Sequence, residues 1–128
     1  MAGYIYCMKN DHPRFGRYVK VGYTERTPMQ RRKELELTWR CKFEVLWDLD
    51  VYEPARAELF LHQYLSKVRI FKEFFLVDPN DLKQWAENFF DEHRKETEDK
   101  EIPPPDLVEL AEIDRRGFLL EADQDEIG

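Results

Sequence analysis

A carboxylate and an imidazole stand four residues apart in the middle of the chain. Glu58 and His62 would lie on one face of a helix, because residues four apart are neighbours on an α-helix. A carboxylate is an oxygen ligand that suits Mg²⁺, but a lone Glu-x-x-x-His pair is more often a surface pair than a functional site. The spacing alone therefore marks a candidate site and leaves its role open.

A basic run lies upstream of this pair. Arg31, Arg32 and Lys33 are consecutive, and a guanidinium matches the geometry of phosphate oxygens, although such a run can also be an ordinary solvated face. The net charge of −7 hides an asymmetry: residues 1–42 hold 10 Lys and Arg against 4 Asp and Glu, whereas residues 78–128 hold 6 against 17. This distribution indicates an anion-binding face followed by an acidic tail.

Composition narrows the class of protein. A chain of 128 residues, 42% of them hydrophobic, is the usual size of one folded domain. It has no run of about 18 apolar residues that would span a membrane and no secretory signal pattern. Cys7 and Cys41 lack metal-type spacing and are expected to be reduced thiols. We expect a cytoplasmic protein without membrane contact, nucleoid-associated if bacterial.

The elements that must position the charged residues follow from periodicity and helix-start signals. Thr27, Pro28 and Gln30 form a capping signature, and Asp78-Pro79 opens a later helix with its apolar residues on one face. The chain order β-β-α-β-α-β-α predicts an α+β domain with a small mixed or antiparallel sheet flanked by helices. The predicted segments are strands at residues 3–8, 17–23, 42–51 and 73–77, and helices at residues 28–38, at residues 54–66 and from residue 79 to about His93.

The character of the chain changes after Arg94. Residues 94–106 are rich in charged residues and carry three consecutive prolines at 103–105, which predicts a linker. A short amphipathic helix is predicted over residues 107–113, ending near Gly117, before a small apolar run at residues 118–120 and a loose acidic end. We therefore predict a domain at residues 1–95, followed at residues 96–128 by an acidic, Pro-containing linker and a short tail.

Five short motifs occur in order along the predicted domain. They are Gly3-Tyr4-Ile5-Tyr6, Val19-Lys20-Val21-Gly22-Tyr23-Thr24, Arg31-Arg32-Lys33-Glu34-Leu35, Ala57-Glu58-Leu59-Phe60-Leu61-His62 and Glu73-Phe74-Phe75. Together the motifs resemble the GIY-YIG nuclease superfamily over residues 3 to about 90, and especially its phage-type branch whose second motif reads Lys-Ile-Gly-x-Thr. The resemblance implies a GIY-YIG-like fold in a protein of a phage or mobile element.

The resemblance also implies a reaction and its residues. A metal-dependent endonuclease of this kind hydrolyses DNA phosphodiester bonds with one Mg²⁺ or Mn²⁺ ion. By this resemblance, Tyr6 positions or deprotonates the attacking water, Arg31 stabilises the phosphate and Glu58 binds the metal. His62 is expected beside Glu58 as a further catalytic residue. The remaining substrate-binding candidates are Gly22, Thr24, Arg32 and Lys33.

Two positions depart from the family pattern. Lys20 stands where the second motif usually has a Tyr, so it either acts as a base with a depressed pKa or contacts phosphate. Leu35 stands where a His is often found after the helix Arg, which removes another candidate base. Glu73 precedes an aromatic pair and either holds a helix end or an Arg, or belongs to the site.

Two other functions stay open. The chain could be an inactive module of the same fold that binds nucleic acid or protein. It could instead be an inhibitor or adaptor whose acidic tail mimics nucleic acid. DNA is the expected partner, and the apolar run at residues 118–120 could mediate contact with a protein or a second copy, or could pack against the third helix.

Overall fold

The chain forms an α+β domain, as the order of elements predicted. The structure, a computed structural model, describes residues 2–90 and 103–127, with side chains described through residue 118. In that part of the chain the strands are β1 (Gly3–Asn10), β2 (Val19–Thr24), β3 (Phe43–Val51), β4 (Arg69–Phe71) and β5 (Phe74–Phe75). The helices are α1 (Pro28–Trp39), α2 (Pro54–Tyr64), α3 (Pro79–Phe89) and α4 (Pro105–Ile127).

The strands form one sheet in the order β3-β1-β2-β5-β4. Every strand pairing is antiparallel, which is one of the two sheet types that the sequence predicted. The register places Tyr6 of β1 directly opposite Gly22 of β2, and Lys20 opposite Phe74 of β5. Side chains alternate between the faces of a sheet, so Tyr6, Gly22 and Lys20 share one face.

The strand predicted over residues 73–77 is wrong in its extent. The structure has a hairpin there, in which β4 and β5 flank a two-residue turn of Lys72 and Glu73. Lys72 has φ 50, a left-handed conformation that the tight turn imposes on a residue with a side chain. Three residues of β4 are too few to show an alternating pattern, which is why periodicity missed that strand.

Local signals place the helices well. The Thr27 side chain accepts from the Gln30 backbone and the Gln30 side chain returns a bond to Thr27, so the predicted capping box at the start of α1 is confirmed. The helix ends at Arg40 in the left-handed conformation. At the start of α3, the Asp78 carboxylate accepts from the backbone of the first turn. The predicted helix to residue 66 ends earlier, at Tyr64, and a single 3-10 turn, Ser66–Val68, follows it.

The core lies on both faces of the sheet. Phe74 contacts Phe15 and Trp39 on the α1 side, whereas the His62 ring of α2 packs against Phe75. The α3 residues Leu82, Trp85 and Ala86 are buried as predicted. None of the helices in the described part of the chain combines the length and apolar character needed to span a bilayer. Cys7 and Cys41 are free thiols.

The C-terminal segment differs most from its prediction. Helix α4 continues past Gly117 to Ile127 instead of ending near that glycine. It is anchored because Ala111 is fully buried and because Phe118 stacks on Phe15 at 5.3 Å. The Tyr18 hydroxyl also donates to Asp114 at 2.8 Å. Phe118 thus packs on the loop between β1 and β2 and not on α3.

Several predictions remain beyond what the structure describes. His93 and the linker up to residue 102 lie outside the described residues, as do the side chains of Leu119 and Leu120. The division of the chain at residue 95 stays a prediction, although α4 packs against the rest of the fold.

Candidate active site

Three side chains of the types that can bind a metal ion converge at one edge of strand β2. Glu58 and His62 project from adjacent turns of α2, and Glu73 projects from the turn between β4 and β5. One ligand atom from each lies within 4.8 Å of the others. The sequence predicted the first two as neighbours, and the fold adds the third.

The backbone of β2 explains why α2 lies here. Strand β5 pairs with β2 only at Val19 and Lys20, and the Glu73 carbonyl accepts from the Val21 backbone at 3.0 Å. Beyond that point the edge of β2 lacks a strand partner among the described residues. Side chains of α2 bond to that edge: His62 Nε2 lies 2.9 Å from the Val21 carbonyl oxygen, and Glu58 accepts from the Tyr23 backbone. Buried backbone groups are thereby satisfied.

The bond to Val21 fixes the tautomer of His62. A carbonyl oxygen only accepts, so Nε2 carries the proton and Nδ1 keeps its lone pair. Nδ1 lies 3.9 Å from a Glu58 carboxylate oxygen. Burial lowers the pKa of His62, since the side chain is only 12% exposed. The imidazole is therefore neutral near pH 7, which is the form that binds a metal.

Glu58 occupies an environment that disfavours its negative charge. Burial and the nearby Glu73 carboxylate raise its pKa to about 7, against the influence of Lys20, the Tyr23 backbone and Arg31. A carboxylate that is half-protonated near neutrality has too little positive charge around it. A bound cation would supply that charge.

Lys20 is a buried base that already has a partner. Its side chain is 4% exposed and forms an ion pair with Glu73. Burial lowers the Lys20 pKa, and Glu73 acts in the opposite direction. The ammonium therefore faces the carboxylates of the site from the α1 side of the sheet.

Tyr6 lies across Gly22, and this explains the glycine. A Cβ built on Gly22 would be 2.5 Å from the Tyr6 hydroxyl oxygen. Gly22 is therefore required for a close approach, and the approaching group is the Tyr6 side chain. The Tyr6 hydroxyl is buried, and its O–H has no acceptor among the described residues. Burial raises its pKa to about 12, although a hydrogen bond from the Arg31 side chain acts to lower it.

Arg31 is a cation close to this tyrosine. It projects from α1, and its Nη1 bonds to Glu34 at 3.0 Å. Its side chain is 36% exposed, so part of the guanidinium remains open to solvent at the mouth of the site. Arg26 also pairs with Glu34, which holds a second guanidinium nearby.

Three of the predicted substrate-binding residues lie elsewhere or have local partners. The Thr24 hydroxyl is buried and accepts from the Arg26 backbone at 3.1 Å, which is a local role in the turn before α1. Arg32 pairs with Glu36 and lines a separate groove with Lys42. Lys33 is exposed on α1. Substrate binding by these residues stays a prediction.

Glu73 is the site residue that sequence reasoning assigned least clearly. Its partner is neither a helix end nor an Arg but Lys20. The useful signal was the short stretch from Arg69 to Phe75, which reads as a hairpin once Lys72-Glu73 is taken as its turn.

Comparison with known proteins corrects the family assignment. The model of the T5orf172 domain matches residues 3–90, which is more than half of the chain. No curated protein matches, and no solved structure does. The GIY-YIG assignment was wrong: short aromatic and glycine motifs are shared widely, and the model that covers these residues is that of a distinct family. The T5orf172 domain is a nuclease-like, DNA-binding family, so the match supports a function on nucleic acid. The chain belongs to the T5orf172 domain family.

Proposed function

We propose that this chain is a divalent-metal-dependent endonuclease that hydrolyses phosphodiester bonds in DNA. The observation that carries the proposal is the convergence of Glu58, His62 and Glu73 beside Tyr6 and Arg31. The three candidate cation ligands thus lie close to Arg31, which can donate hydrogen bonds to a phosphate group. Membership of a nuclease-like, DNA-binding family supports the same class of substrate.

The side chains fit a divalent cation. Two carboxylates and a neutral imidazole offer three ligand atoms, and Glu58 lacks sufficient positive charge around it. When bound, such an ion polarises a phosphoryl oxygen as a Lewis acid. We assign Glu58 as its principal ligand, with Mg²⁺ or Mn²⁺ as the ion.

Tyr6 would position a reacting oxygen and not take up its proton. With a pKa of about 12 the phenol keeps its proton near pH 7, so its hydroxyl can donate a hydrogen bond. That hydroxyl is buried, and the neighbouring Arg31 guanidinium can only donate to it, so its own O–H can donate to a water molecule or a phosphate oxygen. An unpaired buried donor is otherwise unfavourable by about 1–3 kcal/mol.

Arg31 and Lys20 would supply positive charge on the α1 side. Arg31 uses Nη1 to bond to Glu34, and its remaining N–H groups can donate to phosphate oxygens. Lys20 stays with Glu73 and offsets the two carboxylates. This pairing favours an electrostatic role for Lys20 over that of a general base.

A cleavage assay with a matched variant tests the proposal. Supercoiled plasmid is incubated with the protein and Mg²⁺ or Mn²⁺, with EDTA as the metal-free control. Glu58→Ala should lower the cleavage rate by at least about 100-fold, as expected for one electrostatic stabiliser. Glu44→Ala removes an exposed carboxylate on β3 that pairs with Lys9, and it should cut as the wild type does.

Absence of cutting with both ions on supercoiled, single-stranded and branched DNA would overturn the endonuclease proposal. The ion pair between Lys20 and Glu73 favours a second candidate, a nucleic-acid-binding module, because it leaves Lys20 unavailable as a base. That candidate predicts DNA binding that EDTA does not change and that falls steeply with salt concentration.

A further inference from the structure

We propose that His62 binds the metal ion directly through Nδ1, so that the site prefers a first-row transition ion to Mg²⁺. This inference rests on the metal site of the proposed function and extends it to the identity of the ion. An imidazole ligand suits transition ions, whereas Mg²⁺ favours oxygen ligands and water.

The orientation of the imidazole is fixed from two sides. Nε2 bonds to the Val21 carbonyl oxygen at 2.9 Å, and the ring packs against Phe75 with 5.0 Å between ring centroids. A metal-binding histidine commonly donates its other ring N–H to a backbone carbonyl, which fixes both tautomer and orientation. His62 already has this arrangement, with Nδ1 directed toward Glu58.

An ordinary surface contact does not account for the pair. The distance of 3.9 Å between Nδ1 and the Glu58 oxygen is too long for a hydrogen bond. Both side chains are largely buried, at 12% and 16% exposure, so solvent gives them little compensation. Nδ1 and the carboxylate thus face one another without bonding, and an ion between them would bind both.

Glu73 completes a set of three ligands on one side of the ion. The tight turn at Lys72 holds it in place, and Lys20 pairs with Oε2, so Oε1 can face the ion. Ligand atoms at neighbouring corners of an octahedron lie about 3 Å apart when the metal–ligand distance is about 2.1 Å. The 4.8 Å spread therefore requires the side chains to close by up to about 2 Å when the ion binds.

Spectroscopy of the Mn²⁺-loaded protein tests the ligand directly. Pulsed electron paramagnetic resonance should detect ¹⁴N coupling from one imidazole in the wild type. His62→Gln should abolish that coupling and raise the Mn²⁺ dissociation constant by at least about tenfold, while Mg²⁺ binding changes much less. His12→Gln is the matched control, because His12 lies in the β1–β2 loop and accepts a bond from Arg14. It should keep the coupling, as should His93→Gln.

Absence of ¹⁴N coupling in the wild type would overturn the inference, and this result does not depend on whether any variant folds. Coupling that persists in a folded His62→Gln protein, verified by circular dichroism, would also overturn it. A protein that cuts DNA without the coupling would keep the endonuclease proposal and lose this one. A protein that shows the coupling but never cuts DNA would keep the His62 inference and overturn the endonuclease proposal.

Discussion

Two regions of the molecule use their buried groups in opposite ways. One is the site edge, which comprises Tyr6, Lys20, Glu58, His62 and Glu73. The other is the aromatic end, which comprises Phe15, Trp39, Phe71, Phe74 and Phe118. At the site edge a buried hydroxyl group has no acceptor for its proton among the described residues, and a carboxylate has a pKa raised to about 7. At the aromatic end, Phe15 contacts the rings of the four other residues of that region.

The contrast indicates that the aromatic end stabilises the fold, whereas the site edge serves chemistry. Packed aromatic rings stabilise the fold through apolar burial and ring contacts. Buried polar groups without full compensation destabilise it and are retained where they serve a ligand. Substitutions at the aromatic end should therefore change the free energy of unfolding, whereas those at the site edge should change activity and can even increase stability.

The largest effect on stability should come from Phe15→Ala. Phe15 is 5% exposed and lies at the centre of the aromatic end, so truncation leaves a cavity between the loop and α4. We expect a loss of about 3–5 kcal/mol in the free energy of unfolding, measured by urea denaturation. Phe15→Leu should lose less. Equal losses for both variants would show that ring packing does not stabilise this end.

Glu58→Gln should stabilise the metal-free protein above pH 7. The pKa of Glu58 is about 7 in the folded state, against an ordinary value of 4.5. Between pH 4.5 and pH 7 the folded state therefore keeps a proton on Glu58 that the unfolded state has released. The stability contributed by this group thus falls as the pH rises through that window. Glu58→Gln removes the titrating group, so its free energy of unfolding should exceed that of the wild type by about 2–3 kcal/mol at pH 8 but by little at pH 5.

Urea denaturation in EDTA at both pH values measures that difference. A variant less stable than the wild type at pH 8 would show that Glu58 is well compensated without a metal, and the contrast between the two regions would fail.

Two glycines offer a matched pair of substitutions. Gly22→Ala places a methyl group 2.5 Å from the Tyr6 hydroxyl oxygen, so Tyr6 must shift. We expect a loss of about 1–3 kcal/mol together with reduced cleavage. A Cβ added at Gly117 would meet no atom within 4 Å, and the position lies inside α4. Gly117→Ala should therefore raise the free energy of unfolding by about 0.5–1 kcal/mol.

Thermal unfolding and the plasmid assay on both variants test this pair. Full activity in the Gly22→Ala protein would separate the position of Tyr6 from catalysis.

The smallest effect concerns the contact between α4 and the β1–β2 loop. Tyr18→Phe removes the hydroxyl that donates to Asp114 at 2.8 Å, and a net hydrogen bond contributes about 1 kcal/mol. Arg17 lies 3.7 Å from the same carboxylate and should limit the loss. We expect reduced stability with unchanged cleavage. A change in cleavage rate would show that the docking of α4 affects the site edge.

The amino-acid sequence by itself determined the local features of this protein. The capping residues at Thr27 and Asp78 fixed where α1 and α3 begin, because capping bonds join residues a few positions apart. The spacing of Glu58 and His62 placed both on one side of α2 for the same reason. The alternation along β3 correctly predicted a half-buried strand.

Only the tertiary structure decided which distant residues meet. The hairpin turn brings Glu73 to Lys20 across 53 positions, and the sheet register sets Tyr6 over Gly22. The docking of α4 depends on Phe15 and Tyr18, which lie about a hundred residues upstream of its contacts. Such contacts depend on how whole elements pack, and a local pattern carries no information about a partner that is distant along the chain.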